Sequence, residues 1–356
     1  MDISSSVAES ETSCQTGNEY DGNLGLRISA IFVIFLGSLF GILFPIYARR
    51  ASSQEKTSIR ALSFPPWMFF VAKFFGSGVI IATAFIHLLA PASEALRNPC
   101  LTGLITEYPW VEAIVLISVI ATFFIELLVT LFASPQAPTQ DHDIVSKDGY
   151  HYPRDSEESN TLLSNSNSSE TDTRTDALNQ DIENHLEPPH QQHYKSALAS
   201  LLILESGVIF HSILIGLALS VSGKEFKTLY LVLIFHQTFE GLGLGVRLAD
   251  IPWPTSKHST PYLLGLAYAS STPLSIALGL IIRGSYTPGS ATMLVVSGIF
   301  DSISAGILIY TALVELLAHE FLFSRSGERK DPWTVLSAFF FLCLGAASMA
   351  VLGKWA

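Results

Sequence analysis

The sequence predicts an all-α membrane protein with eight transmembrane helices, arranged three plus five around a long polar loop. Of the 356 residues, 49% are hydrophobic and only 14% are charged, whereas soluble domains average about 25% charged residues. The apolar residues are gathered into runs of roughly 20 or more, the length that a hydrocarbon core of about 30 Å requires. The apolar runs therefore fit a bilayer better than the core of a soluble protein.

Eight apolar runs mark the predicted helices. They lie near 26–48, 66–91, 110–133, 197–221, 227–249, 261–283, 291–320 and 333–355. The chain then divides into an extracellular disordered tail at 1–25, helices one to three within 26–133, a disordered cytosolic loop at 134–196, and helices four to eight within 197–356. The loop is rich in Ser, Asn, Asp, Glu, Thr and His, so it lacks the apolar surface needed to fold alone.

The distribution of Lys and Arg predicts the orientation in the membrane. These residues are more numerous in the connections on the side of the long loop, which places that loop in the cytosol and both termini outside. We therefore expect an integral multi-pass protein of the plasma membrane, with a vacuolar or other organelle membrane as the alternative. On the oxidising outer side, Cys14 and Cys100 are predicted to form a disulfide. The net charge of −11 gives no reason to expect a nucleic acid partner.

Ionisable residues within the predicted helices indicate a metal site. His211 lies in the segment HSILIG of the fourth helix, and His236 and Glu240 lie in HQTFEG of the fifth. Each such group at mid-membrane costs about 2.5–3.5 kcal/mol, so it needs a partner or a task. His236 and Glu240 are four residues apart and share a helix face. Two imidazoles and a carboxylate suit zinc or ferrous iron better than calcium or magnesium, although hydrogen bonding within the bundle is the alternative.

Two further helices carry polar residues that fit a permeation pathway. At 100° per residue, Asp301, Glu315 and His319 of the seventh helix fall within about 40° of one azimuth. The second helix repeats the pattern with Lys73, Thr83, His87 and Glu94. The competing explanation is a hydrogen bond between packed helices. Such a bond needs only one polar group, whereas these stripes run for several turns, which favours a pathway.

These motifs resemble those of the Zrt/Irt-like protein (ZIP) family of divalent metal-ion transporters, and most closely its fungal and plant zinc-iron uptake branch. The resemblance covers the chain from about residue 25 to its end. It implies a homodimer in the lipid bilayer that takes up Zn²⁺ as its substrate, with Fe²⁺ or Mn²⁺ as alternatives and no organic cofactor. It also implies that residues matching His211, His236 and Glu240 hold the ion.

The resemblance also assigns secondary site residues. Ser212 and Gln237 follow the two histidines and join the candidate ligands. Many family members carry a carboxylate where this chain has Ile215 and another ligand where it has Gln237, so a single-metal site is expected. The pair His319–Glu320 resembles a family exit site.

Two other functions remain open at this stage. An intramembrane zinc-dependent hydrolase would be expected to show HExxH, but the segment that begins at His319 and Glu320 lacks the second histidine. A metal sensor that does not transport would bind the ion without flux. Uptake is the function that the motifs favour.

Overall fold

The structure, a computed structural model, describes residues 20–53, 65–133, 189–285, 287–322 and 331–355. Within these ranges the chain is helical and contains no strand, and eight helices are long and apolar enough to cross a membrane. The predicted all-α class and the three-plus-five arrangement are confirmed. Most of the predicted tail and most of the predicted loop lie outside the described residues.

The eight membrane helices are numbered in chain order. They are α1 (Leu24–Ser53), α2 (Pro66–Ala82, continuing through Thr83–Leu89 and Ala90–Leu96), α3 (Trp110–Ala133), α4 (Pro189–Val221), α5 (Phe226–Asp250), α6 (Thr260–Ile282), α7 (Ala291–Thr311, continuing through Ala312–Leu322) and α8 (Pro332–Leu352). Because the spans are even in number, the start of α1 and the end of α8 lie on one face of the bundle, here called the termini face. The opposite face, where α3 ends and α4 begins, is the loop face.

Two of the helices widen into π-helix, at Thr83–Leu89 in α2 and at Ala312–Leu322 in α7. In α2 the cause is visible in the sequence, because Pro91 has no N–H to donate to the carbonyl of His87 one turn earlier. The wider turn changes the direction of every side chain beyond it. The spacing of 100° per residue, which underlies both predicted polar stripes, therefore does not hold along the whole of α2 or α7.

The helices pack in two groups of four within the described ranges. In the first group α1 packs on α5 and α6, and α4 packs on α6; in the second α2 packs on α8, and α7 packs on α3 and on the last turns of α2. The groups meet where α2 contacts α5 and where α4 contacts α7 and α3. The outer helices α3 and α8 expose large apolar side chains such as Phe132 and Trp333, as expected of surfaces that face lipid.

A buried arginine fixes the end of α4. The Arg27 side chain of α1 is fully buried, and its guanidinium donates hydrogen bonds to the carbonyl oxygens of Leu219, Ser220 and Ser222. These carbonyls end α4, where a cation also complements the helix dipole. Arg27 therefore anchors the helix that carries His211 to the rest of its group.

The structure describes only one of the two cysteines of the predicted disulfide. Cys100 is disulfide-bonded and Cys343 is a free thiol. Cys14 lies outside the described residues, so the pairing with Cys14 stays a prediction.

Candidate metal site

The three predicted ligands lie together on two helices of the first group. His211 of α4 and His236 and Glu240 of α5 are all at most 3% exposed. The ring centroids of the two histidines are 5.7 Å apart, and Nε2 of His236 is 3.9 Å from Oε2 of Glu240. The sequence motifs of two helices thus form one buried polar cluster.

This cluster is short of hydrogen bonds. Among the described residues, no partner is found for either ring nitrogen of His211 or His236, or for either carboxylate oxygen of Glu240. A buried polar group without a partner costs about 1–3 kcal/mol, so a packed core rarely keeps six such atoms together. If these residues only hydrogen-bonded within the bundle, these six atoms would be left without a geometric partner in this conformation.

The cluster is not yet a closed coordination sphere. In the described part of the chain, no group of three or more His, Cys, Asp and Glu side chains is arranged so that it could hold a metal ion. The neighbouring residues occur instead as pairs, such as His236 with Glu240. Side-chain rotation is needed before all three predicted ligands can reach one ion.

Two residues of the predicted polar stripes, Asp301 and His87, lie against this cluster, and both belong to the second helix group. The Nδ1 atom of His211 is 3.6 Å from Oδ1 of Asp301 on α7. The ring centroid of His87, in the π-helical part of α2, is 4.6 Å from that of His236. The cluster therefore lies at the junction of the two groups.

The tautomer of His87 follows from its hydrogen bond. Its Nε2 lies 3.0 Å from the carbonyl oxygen of Met349 on α8. A carbonyl oxygen only accepts, so Nε2 carries the proton and the lone pair of neutral His87 is on Nδ1. A backbone carbonyl that holds one ring nitrogen in this way is the usual support of a histidine that binds metal through the other.

A cavity of about 440 Å³ connects the cluster to the termini face. Its lining starts at His87, His211, His236 and Asp301 and ends near the helix ends at residues that include Glu94, Ser222, Pro288 and Gly353. Glu94 is thus placed at the outer part of the cavity, exposed and away from the three ligands. The cavity gives an ion from the termini face a route to the histidines.

The remaining candidates are placed less closely. Nε2 of Gln237 lies 3.5 Å from Oγ of Ser212, so these two residues contact each other across α4 and α5. Glu315 lies in the π-helical part of α7, so its alignment with Asp301, which assumes 100° per residue, stays a prediction. The side chains of His319 and Glu320 are outside the described residues, so the exit site stays a prediction.

Sequence reasoning missed two buried polar residues of α6, the helix that packs on α4. The Tyr268 hydroxyl donates a hydrogen bond of 2.7 Å to the backbone carbonyl of Gln237, which fixes α5 at the site. The Thr272 hydroxyl is fully buried and has no partner among the described residues. Pro273, inside α6, was the available signal, because a proline within a membrane helix frees a backbone carbonyl where polar groups gather.

Comparison with known proteins agrees with these observations. The family described as "ZIP Zinc transporter" matches residues 24–353. Zinc-regulated transporter 2 of Saccharomyces cerevisiae is 39% identical, with 98% of each chain covered. Zinc-regulated transporter 1 of the same yeast is 40% identical over 96% of this chain and 90% of its own, and zinc transporter 3 of Arabidopsis thaliana is 31% identical over 96% and 89%. The chain belongs to the ZIP zinc transporter family.

Proposed function

We propose that this protein carries Zn²⁺ across a membrane into the cytosol and that His211, His236 and Glu240 bind the ion on its way. Family membership makes the chain a transporter rather than a hydrolase. The names of its relatives support zinc as the substrate. The observation that carries the assignment of residues is the cluster of buried, unpartnered imidazole and carboxylate groups at the base of a cavity.

The ligand types explain how the ion can leave water. Zinc binds imidazole nitrogen and carboxylate oxygen at about 2.0–2.2 Å, so these groups replace its hydration shell as it enters the cluster. Rotation of the Glu240 side chain, which lies one turn from His236, brings the carboxylate to an ion bound by the histidines. Fe²⁺ and Mn²⁺ are the competing substrates, since the same ligands also accept them.

Release on the loop face requires movement at the junction of the two helix groups. His211, His236 and Glu240 belong to the first group, whereas His87 and Asp301 belong to the second. A displacement of one group against the other would carry the first set of ligands away from the second. With the loop face in the cytosol, the membrane potential favours inward flux of a dication by about 4.6 kcal/mol per 100 mV, so no nucleotide is needed.

The plasma membrane, extracellular termini and a homodimer belong to the same proposal. They rest on the distribution of Lys and Arg and on the family resemblance. Labelling of an introduced N-terminal tag on intact cells tests the orientation, and chemical cross-linking in native membranes tests the dimer.

Zinc uptake into reconstituted vesicles tests the proposed ligands. We expect His211→Ala, His236→Ala and Glu240→Ala each to lower the initial rate at least about a hundredfold, because each removes a direct ligand. His258→Ala is the matched control, since His258 is exposed at the loop face. Wild-type rates in any two of the three ligand variants would refute the site, and saturable binding without flux in the wild type would show a sensor.

A further inference from the structure

A further histidine–carboxylate pair lies at the proposed site, formed by residues from different helix groups. Asp301 of α7 is 8% exposed and lines the cavity, and its Oδ1 has no hydrogen-bond partner among the described residues. This oxygen faces Nδ1 of His211, which also lacks a partner there. Nδ1 of neutral His211 is an acceptor when Nε2 carries the ring proton; in that tautomer two acceptors face each other, and a cation bound between them would satisfy both.

The separation of these two atoms suits a shared metal ion. At 3.6 Å the atoms are too far apart for a hydrogen bond. Two ligand atoms about 2.1 Å from one tetrahedral zinc ion stand about 3.4 Å apart. The corresponding distance between His236 Nε2 and Glu240 Oε2 is 3.9 Å, so the Asp301–His211 pair is closer to binding geometry in this conformation.

We propose that Asp301 and His211 form a receiving site that binds the zinc ion from the cavity before it reaches His236 and Glu240. This inference rests on the proposed function, because it places a step before the central cluster. His211 is shared by both sites. The ion therefore exchanges Asp301 for His236 and Glu240 while it stays bound to His211. Asp301 stays behind with the second helix group when the first group carries the ion away.

The receiving site also replaces a ligand that α4 does not supply. Residue 215, one turn after His211, is isoleucine and lines the same cavity. A carboxylate from α7 thus provides the negative charge that this wall of the cavity lacks. Carboxylate oxygen is a harder ligand than imidazole nitrogen and suits Mn²⁺ better, so Asp301 should also help the site to accept Mn²⁺.

The test compares two substitutions of Asp301 by zinc uptake into vesicles across a range of zinc concentrations. We expect Asp301→Asn to raise the half-saturating zinc concentration at least about tenfold, with the maximal rate within about threefold of wild type. Asp301→His restores a metal ligand without the negative charge, so its half-saturating concentration should return to within about threefold of wild type while Mn²⁺ competes less well. Ser302→Ala is the matched control, because Ser302 is buried beside Asp301 and its hydroxyl donates to Gly298 within the helix.

The possible results separate the receiving site from the proposed function. Wild-type half-saturation in Asp301→Asn, or a lower maximal rate alone, would overturn the receiving site. A raised value that Asp301→His does not restore would show that Asp301 acts only through its charge, which also overturns a ligand role. Failure of the central site would appear separately, as wild-type uptake by His236→Ala.

Discussion

The two halves of the path along α2 and α5 differ in the size of the side chains that meet there. At the level of the cluster, His87 and His236 face each other beside a cavity of about 440 Å³ that extends towards the termini face. On the loop side, Gly76 and Gly243 bring the two backbones together, and a Cβ on Gly243 would lie 2.8 Å from the carbonyl oxygen of Gly76. The same pair of helices is therefore parted on one side and closed on the other.

The loop side has a second closing contact at its end. Asp250, the last residue of α5, has its Oδ2 atom 3.5 Å from Nζ of Lys73 on α2. Both side chains are about 30% exposed, so the pair contributes only about 0–1 kcal/mol. Close packing at Gly76 and Gly243, rather than this ion pair, is therefore the stronger contact that holds α2 and α5 together on the loop side.

The largest effect is expected from breaking the closed half. Gly243→Ala places a methyl group against backbone of α2, which cannot move aside as a flexible side chain can, and overpacking of this kind costs about 1–3 kcal/mol. We expect a lower thermal unfolding temperature in detergent and at least about a tenfold loss of zinc uptake per molecule. Gly25→Ala is the control, because nothing lies within 4 Å of its added Cβ. Equal behaviour of the two variants would show that the contact does not close the path.

A smaller effect is expected from filling the open half. Ala218→Trp puts a large ring into the cavity from α4, two turns from His211, so uptake should fall about fivefold to tenfold while the protein stays folded. Leu202→Trp on the same helix is the control, since Leu202 is 45% exposed on the outside of the bundle. Unchanged uptake in Ala218→Trp would mean that the ion does not pass through this cavity.

The smallest effect is expected from the segment between α3 and α4. Replacing residues 134–188 with a short Gly/Ser linker should leave zinc uptake per surface molecule within about threefold of wild type, because every proposed ligand lies in the helices. The replacement must stop at 188, since α4 begins at Pro189 and not at the predicted residue 197. A loss of more than about tenfold, roughly 1.4 kcal/mol in a barrier, would place the segment in the transport machinery.

Local sequence was enough to predict the helices and the candidate ligands. Long apolar runs located the eight helices, and the high cost of ionisable groups in a membrane identified His211, His236 and Glu240. The polar stripes were extrapolated with α-helical geometry, which fails where Thr83–Leu89 and Ala312–Leu322 widen into π-helix. Only the Pro91 signal could have warned of the first of these.

Contacts between distant parts of the chain could not be predicted. Asp301 and His211 are 90 residues apart, and their pairing depends on how α7 packs on α4. Arg27 lies at the start of the first predicted apolar run, yet it is fully buried against the end of α4. Such partners follow from tertiary packing, which no local period encodes.

X-ray absorption at the zinc edge tests the central claim most directly, because it reports the atoms bound to the ion. The protein is purified in lipid nanodiscs with one equivalent of zinc, and the wild type is compared with His236→Ala and with Cys343→Ala, which removes an exposed thiol. We predict nitrogen and oxygen ligands at about 2.0–2.1 Å with imidazole scattering, reduced in His236→Ala and unchanged in Cys343→Ala. Sulfur at about 2.3 Å, or imidazole scattering unaffected by loss of His236, would contradict the account.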